Sequence, residues 1–290
     1  MANLKEVKNR ISSVISTQQI TKAMKMVAAA KLRKSQEKIM QMRPYAQKLG
    51  EVLENVSGGL EDGQNDFGKN REVNNILIVA ISSDRGLCGP FNNNVFKEAI
   101  ALIHAKYEAQ FKAGDIYVLT IGKKSTEFFT KRKFNVVDKF SDMFSNLSFD
   151  KARLAADFIM KGYKEEKFDK VEIIYNEFKN IATQVLRTEQ FLPLQEGVEN
   201  EKNLHNDYIF QPNQQVLVDE LIPKSLKVQL YKAILESNAA EHGARMTAMD
   251  KATENADDIL KKLRLTYNQT RQAAITKEIL EIVAGAEALG

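Results

Sequence analysis

The sequence predicts an α/β protein: a central Rossmann-like domain with a mostly parallel sheet, carrying a long antiparallel coiled coil of the N- and C-terminal helices. Two observations predict this fold class. Apolar residues recur at alternating steps of three and four near both ends of the chain, which is the spacing of a coiled-coil seam. Between the ends, short apolar runs alternate with helical patterns, as in α/β domains.

The first helix is predicted over residues 1–56. Twelve of sixteen seam positions are apolar, and the sixteen are Leu4, Val7, Ile11, Val14, Gln18, Thr21, Lys25, Ala28, Leu32, Ser35, Ile39, Met42, Ala46, Leu49, Leu53 and Val56. Pro44 predicts a kink, because proline removes a helical hydrogen bond and clashes with the preceding turn. The polar members Gln18, Thr21 and Lys25 either fix the register of the helix pair or face something other than the partner helix.

A linker and then the α/β domain follow the first helix. Residues 57–74 are rich in glycine, asparagine and charge, which predicts a linker, and the domain is predicted over residues 75–213. The continuous apolar run Asn75–Ile81 is typical of a strand buried on both faces of a parallel sheet. Further strands are predicted at Ile116–Ile121, Phe134–Phe140, Val171–Tyr175 and Thr183–Leu192, the last two as a hairpin, and helices over Phe91–Lys112, from Lys123, and over Phe149–Glu165.

The C-terminal coiled-coil helix is predicted over residues 214–290. Its regular helical part should begin near Pro223, since proline is favoured in a first helical turn. This helix is the longer of the two, so its end should extend past its partner as a single helix. A coiled-coil seam needs a second helix, and this end has none. The unpaired end therefore makes sense only inside another assembly.

Both long helices carry alanine patches, Ala28–Ala30 and Ala239–Ala248. An antiparallel pair with Leu4 level with Leu265 would place residue 28 near residue 241, so the two patches would meet. Alanine lets helix axes approach closely. We therefore hypothesise that the helix pair is thin at this level, as expected for a rod that passes through a narrow opening.

Composition restricts the possible functions. The only cysteine is Cys88, and three scattered histidines give no metal-ligand spacing. No apolar run is long enough to span a membrane, and the N-terminus resembles neither a signal nor a transit peptide. Residues 1–50 hold eleven Lys or Arg against two Glu, which is +9 of a chain total of +4, so the remaining residues carry −5. A basic arm on an acidic body suggests an acidic partner surface.

The loop Ser82–Gly89 is the most enzyme-like stretch, because glycine-rich turns before a helix can cradle phosphate. It has neither the dinucleotide-binding glycine pattern nor a P-loop lysine, so a tight turn is the favoured interpretation. Cys88 is better explained as a small buried residue than as a nucleophile, and His242 as a polar residue in the seam rather than a base. We therefore predict no catalytic, cofactor or metal site.

Nucleic-acid binding is an alternative from the residues alone. The first helix contains Lys22, Lys25, Lys31, Arg33, Lys34 and Lys38, and a basic helix can follow phosphates. The segment lacks aromatic residues, and a basic helix that faces acidic protein loops explains the pattern equally well. A third possibility, an α/β enzyme that oligomerises through its helices, would require a ligand pocket at the 82–89 loop.

Five stretches, Gln19–Lys34, Arg43–Tyr45, Ser83–Gly89, Ala244–Ala256 and Tyr267–Ile279, closely resemble the gamma subunit of F-type ATP synthase. The resemblance implies a rotating shaft, present in one copy, inside a hexamer of alpha and beta subunits. It implies that the α/β domain binds the epsilon subunit and stands on the c-ring, at the cytoplasmic face of a bacterial inner membrane. It implies torque transmission in ATP synthesis or hydrolysis, with no catalysis by this chain and no cofactor.

The resemblance also implies contact residues. Met24, Lys25 and Arg33 would face acidic loops of the beta subunits, with Arg245 at the same level on the other helix. An upper polar contact with the hexamer would involve Arg271, Gln272 and Thr276. Tyr208 and Gln211 would touch the c-ring, at a place where the family often has an acidic residue instead of Gln211. The tip 282–289 would turn in an apolar sleeve.

Overall fold

A computed structural model describes residues 4–57, 67–68, 71–194 and 214–287. The chain divides into two compact units, a helical unit of Met1–Ala28 with Arg245–Gly290 and an α/β unit of Ala29–Ala244. The elements in chain order are α1 (Leu4–Ser57), β1 (Ile76–Ile81), α2 (Phe91–Lys106), α3 (Glu108–Ala113), β2 (Ile116–Ile121), α4 (Lys123–Lys131), β3 (Asn135–Phe140), α5 (Phe149–Lys164), β4 (Lys170–Phe178), β5 (Gln184–Leu192) and α6 (Gln214–Glu287).

The α/β unit is built on a five-stranded sheet in the order β3-β2-β1-β4-β5. The first three pairings are parallel, and β5 is antiparallel to β4, which confirms the predicted hairpin. All six residues of the central strand β1 are fully buried. This is why its sequence is a continuous apolar run rather than an alternating one.

Each face of the sheet carries its own apolar core. One core packs α5 and part of α6 against the sheet, through residues such as Ile159, Tyr163, Leu226 and Leu230. The other packs α2 and α4 on the opposite face, through residues such as Phe96, Ile103 and Phe129. The fold class predicted from the sequence is therefore confirmed.

The predicted single helix over Phe91–Lys112 is wrong, because the structure breaks it at Tyr107. Tyr107 has φ −132° and ψ 29°, which is not helical, and it separates α2 from α3. Its hydroxyl donates a 2.7 Å hydrogen bond to Glu172 in β4, whose side chain is buried. A buried carboxylate needs such a donor. The contact with β4, which is distant in the sequence, therefore explains why the helix breaks at Tyr107.

The predicted start of the last helix near Pro223 is also wrong, since α6 begins at Gln214 and continues through the proline. Ile222 and Leu226 are 3% and 1% exposed. Apolar anchors on both sides of Pro223 hold the helix to the sheet and offset the hydrogen bond that proline cannot make.

The seam predicted for the first helix matches the burial of α1. In the helical unit, Val7, Thr21 and Ala28 are buried, and the other seam positions from Leu4 to Lys25 are half-buried. In the α/β unit, Leu32, Ser35, Ile39 and Leu49 are buried. Seam residues of α6 in the helical unit, among them Met249, Ala256 and Leu260, are buried as well.

Candidate interaction surfaces of the long helices

Polar residues pair the two helices inside the seam of the helical unit. The hydroxyls of Thr21 and Thr253 lie 2.8 Å apart, and the Lys25 ammonium donates to the Asp250 carboxylate. A step forward from 21 to 25 on α1 matches a step back from 253 to 250 on α6, so the helices are antiparallel. Thr21 and Lys25 thus face the partner helix, which favours the register-fixing interpretation of these polar positions.

This register corrects the alignment expected from the sequence. Leu4 level with Leu265 would have placed Thr21 level with residue 248, whereas its partner is Thr253, five residues further along α6. An apolar seam allows several alignments of two helices, whereas polar contacts inside the seam specify one. Ala28 is buried in the helical unit, and Ala239, Ala240 and Ala244 are buried in the α/β unit. Contact between the two alanine patches stays a prediction.

A third polar contact extends the series, between Gln18 and Asp257. Hydrogen bonding from Lys261, one turn along α6, is the main cause that lowers the pKa of the Asp257 carboxyl, and a hydrogen bond from Gln18 lowers it further. Gln18, Thr21 and Lys25 therefore all reach across to α6. We call these three residues and their partners Asp257, Thr253 and Asp250 the polar ladder.

Beside the polar ladder, α1 exposes an apolar surface. Met24 is half-buried, while Ile20, Met26 and Val27 are 59%, 62% and 57% exposed, and Lys22 is exposed as well. Large apolar side chains are unusual on a fully solvated helix face and often mark a protein interface. The predicted contact residue Met24 thus lies next to a surface of apolar and basic side chains.

The end of α6 carries the predicted upper contact. Every residue from 271 to 287 is exposed, including Arg271, Gln272 and Thr276. The Thr276 hydroxyl donates to the Gln272 carbonyl oxygen at 3.0 Å, so these two residues share one helix face. Arg245, predicted to lie at the level of Met24, is half-buried in the same unit.

The same helix end is amphipathic without a covering partner within its unit. The exposed apolar side chains are Ile275, Ile279, Leu280, Ile282 and Val283, and four of the five follow the spacing of one helix face. The prediction that α6 ends as a single helix is confirmed for the described residues up to 287.

In the α/β unit, the basic part of α1 faces solvent. The Arg33 side chain is 84% exposed and pairs with Glu37 one turn away, at 3.3 Å. Lys31, Lys34 and Lys38 are exposed too. Exposed pairs of this kind contribute little to stability, so these cations remain available to a partner.

An ion pair between Arg43, whose side chain is 50% exposed, and the buried Glu236 joins the two long helices to the sheet in this unit. Glu236 of α6 is 1% exposed and accepts hydrogen bonds from Arg43 Nε at 3.0 Å and Nη2 at 2.9 Å. Its second oxygen accepts the Phe178 backbone N–H, at the end of β4, at 3.2 Å. Arg43 Nη2 also donates to the Phe178 carbonyl oxygen at 3.4 Å.

The loop after β1 is filled by its own side chains rather than shaped as a phosphate cradle. The Ser83 backbone N–H, which could have faced an anion, donates to the Asn92 amide oxygen at 2.9 Å, and Asn92 in turn donates to the Ser83 hydroxyl at 2.8 Å. Cys88 is 1% exposed and lies 3.3 Å from the Asn92 amide nitrogen. This agrees with a tight turn and with Cys88 as a small buried residue.

The next loop closes over the first through Gly122. This glycine has φ +96°, and a side chain on it would lie 2.2 Å from the Ser82 carbonyl oxygen. The Lys123 and Ser125 backbone N–H groups, in the first turn of α4, donate to Asp84 and to the Ser82 hydroxyl. Burial raises the pKa of the Asp84 carboxyl, and the bond from Lys123 opposes that effect.

Two classes of site are not found within the described ranges. They contain no group of three or more metal-ligating side chains. None of the helices described is long and apolar enough to cross a membrane. Tyr208 and Gln211, the residues expected to touch a c-ring, lie outside the described residues, as does most of the 57–74 linker.

Comparison with known proteins identifies the family. The family model described as ATP synthase matches residues 3–289. The ATP synthase gamma chain of Cytophaga hutchinsonii is 58% identical over 100% of this chain and 99% of its own length. This chain belongs to the ATP synthase gamma chain family. The gamma chain of Flavobacterium psychrophilum is 53% identical with the same coverage.

Solved structures of the family agree in fold. A chain in the central stalk and c-ring structure of the Tetrahymena thermophila mitochondrial ATP synthase matches with a TM-score of 0.63 and 25% identity, over 80% of this chain and 99% of that chain. A chain of the Euglena gracilis mitochondrial ATP synthase matches with a TM-score of 0.71 and 22% identity, over 99% of this chain and 94% of that chain. Family membership leaves the nucleic-acid interpretation without support.

Sequence reasoning missed two relationships at these surfaces. It found Lys25 but not its partner Asp250, and it found the Arg43–Tyr45 motif but not Glu236. For Lys25 the available signal was a charged residue inside an apolar seam, because a charge there requires a partner. No such signal marked Arg43, which lies outside the seam.

Proposed function

We propose that this chain is the central rotary shaft of an F-type ATP synthase. It transmits torque between a proton-driven c-ring and the catalytic alpha/beta hexamer during ATP synthesis or hydrolysis. The observation that carries the proposal is the family match along residues 3–289, with relatives more than half identical over their whole length. The chain itself does no bond chemistry in this account and binds no cofactor.

The geometry of the helical unit suits a shaft. A two-helix pair with an apolar seam resists bending, and the polar ladder prevents the helices from sliding along each other. The exposed apolar face at 275–283 fits an apolar sleeve formed by another assembly. A rotating end in such a sleeve needs little charge, and the helix has few charged residues after Glu281.

The surface around Met24 is the proposed contact with acidic loops of the beta subunits. Met24, Lys25, Arg33 and Arg245 are the contact residues. Arg33 is the most accessible of the three cations, since its side chain is 84% exposed. Lys25 already pairs with Asp250, so we expect it to contribute more to the helix register than to charge attraction.

The remaining contacts complete the assembly. Arg271, Gln272 and Thr276 form the proposed upper contact with the hexamer, and Tyr208 and Gln211 the contact with the c-ring. The α/β domain of residues 75–213 binds the epsilon subunit, with one copy of the chain per complex. The assembled enzyme places this chain peripherally, on the cytoplasmic face of a bacterial inner membrane.

Reconstitution tests the proposal against nucleic-acid binding. The purified chain is mixed with alpha and beta subunits of the same enzyme and, separately, with duplex DNA, and both mixtures are run by size exclusion at physiological salt. Co-elution with the subunits as a complex with ATPase activity supports the shaft. DNA binding without subunit assembly would refute it.

A further inference from the structure

The contact between Arg43, Glu236 and Phe178 joins three elements at one buried carboxylate. Arg43 lies on α1, Glu236 on α6 and Phe178 at the end of β4. One Glu236 oxygen accepts two guanidinium N–H groups and the other accepts a backbone N–H of the sheet.

The burial of Glu236 makes this contact rigid. Its side chain is 1% exposed, so without its partners the carboxylate would be a buried and unpaired charge. A guanidinium that donates two N–H groups fixes orientation as well as distance, because its fork is planar. Rotation or sliding of α1 or α6 relative to β4 would break at least one of these bonds.

We propose that Arg43 and Glu236 form a clamp that transmits torque from the sheet to both long helices. The inference rests on the proposed function, and it assigns a positioning role to two residues that touch neither the hexamer nor the c-ring in that account. Apolar packing of α6 on the sheet holds the helix in place, but apolar contacts are not directional. Directional hydrogen bonds at Glu236 resist twisting, which packing alone resists weakly.

A second ion pair close by provides a matched control. Arg187 of β5 donates to Glu177 of β4 at 2.7 Å, and both residues line the same open groove as Arg43 and Glu236. That pair connects two strands of one hairpin and is 52% and 30% exposed. Arg187→Gln therefore removes the same charge from the same groove without releasing a helix.

The test compares variants in the complete ATP synthase, in inverted membrane vesicles. ATP-driven proton pumping is divided by the rate of ATP hydrolysis, which gives the coupling of rotation to transport. Arg43→Gln and Glu236→Gln should lower this ratio by about twofold to tenfold, and Arg187→Gln should leave it unchanged. Arg43→Lys, which keeps the charge but offers one nitrogen in place of two, should give an intermediate ratio.

A double variant separates the clamp from simple stability. Replacing both partners by apolar residues, Arg43→Met with Glu236→Leu, removes the buried carboxylate together with its cation and should recover much of the lost thermal stability. It does not restore the bond to Phe178. The clamp predicts that the midpoint of thermal unfolding recovers while the coupling ratio stays low.

Two results would overturn the clamp. One is an assembled complex with Arg43→Gln or Glu236→Gln that couples like the unmodified enzyme. The other is a double variant in which stability and coupling recover together, since that would make the contact merely structural. Failure of the proposed function is distinguishable, because the unmodified chain would then form no coupled complex at all.

Discussion

Thr21 of α1 and Thr253 of α6 share a 2.8 Å hydrogen bond between their hydroxyls, in the seam of the helical unit. Each hydroxyl also lies within hydrogen-bond distance of a carbonyl oxygen of its own helix, Gln18 at 3.0 Å and Met249 at 2.8 Å. The bonds within each helix form in any register, whereas the bond between the two hydroxyls forms only in this one. The contact links residues 232 positions apart and defines how the two ends of the chain align.

The threonine pair gives a test of register. Thr21→Val removes the hydrogen bond between the helices, while Thr253 keeps its bond to the Met249 carbonyl oxygen. We expect the free energy of unfolding to fall by about 1 kcal/mol. The double variant Thr21→Val with Thr253→Val should cost less than the sum of the single variants, because neither hydroxyl remains. Urea unfolding of the four proteins gives the coupling energy. Thr17→Val is the control, since Thr17 is exposed and its hydroxyl donates to the Ser13 carbonyl oxygen of its own helix. Strict additivity at 21 and 253 would contradict the account.

Met24 gives a test of the proposed beta contact. Met24→Lys adds a cation beside acidic loops, and we expect ATP-driven proton pumping to fall severalfold while the complex still assembles. The residue is half-buried next to exposed apolar neighbours, so the new ammonium can reach the surface.

Met40→Lys is the control for added charge, because Met40 is 73% exposed on the same helix and outside the proposed contact. Coupled synthesis and hydrolysis are measured in membranes that carry each variant. Unchanged synthesis and hydrolysis with Met24→Lys would remove Met24 from the contact surface.

The exposed end of α6 should tolerate shortening. Deletion of the residues after Leu280 removes side chains that are exposed in the described part of the helix. We expect the midpoint of thermal unfolding to stay unchanged, and ATP hydrolysis by the assembled complex to fall only slightly, because contacts lower on the shaft remain. Loss of assembly in size exclusion would show that the end is a required anchor rather than a bearing.

Gly122, where the loops after β1 and β2 approach each other, should not tolerate a side chain. Gly122→Ala places a methyl group 2.2 Å from the Ser82 carbonyl oxygen, at φ +96°. We expect a loss of about 3 kcal/mol or more in the free energy of unfolding, from steric overlap and backbone strain together.

Gly50→Ala, in the same unit, should have the opposite effect on the free energy of unfolding. Gly50 lies in α1, and apart from its chain neighbours and the nearby backbone of its own helix no described atom lies within 4 Å of the added carbon. Alanine should therefore stabilise the helix by about 0.5–1 kcal/mol. Chemical unfolding of both variants checks the pair. Equal stability of the two alanine variants would contradict the close approach of the two loops.

The sequence predicted what local patterns determine. The seam of α1 was readable from Leu4 to Leu49 because a three-four repeat places each apolar residue on one helix face, whatever the partner is. β1 was readable because burial on both faces requires an unbroken apolar run. Both patterns lie within a single element.

Other features depend on partners far away in the chain. The break at Tyr107 depends on Glu172, the register on Thr253, and the position of Arg43 on Glu236. None of these partners is marked by a local pattern. The sequence could show that Lys25 needed a carboxylate in the seam, but not which of several acidic residues on α6 would supply it.

Rotation of single molecules tests the central claim most directly. A bead is attached to Lys131→Cys on α4, an exposed position, in a complex whose alpha/beta hexamer is fixed to a surface; Cys88 is 1% exposed and should not compete for the label. With ATP present, we predict that the bead turns continuously in one direction. A stationary bead on complexes that hydrolyse ATP at the normal rate would contradict the account.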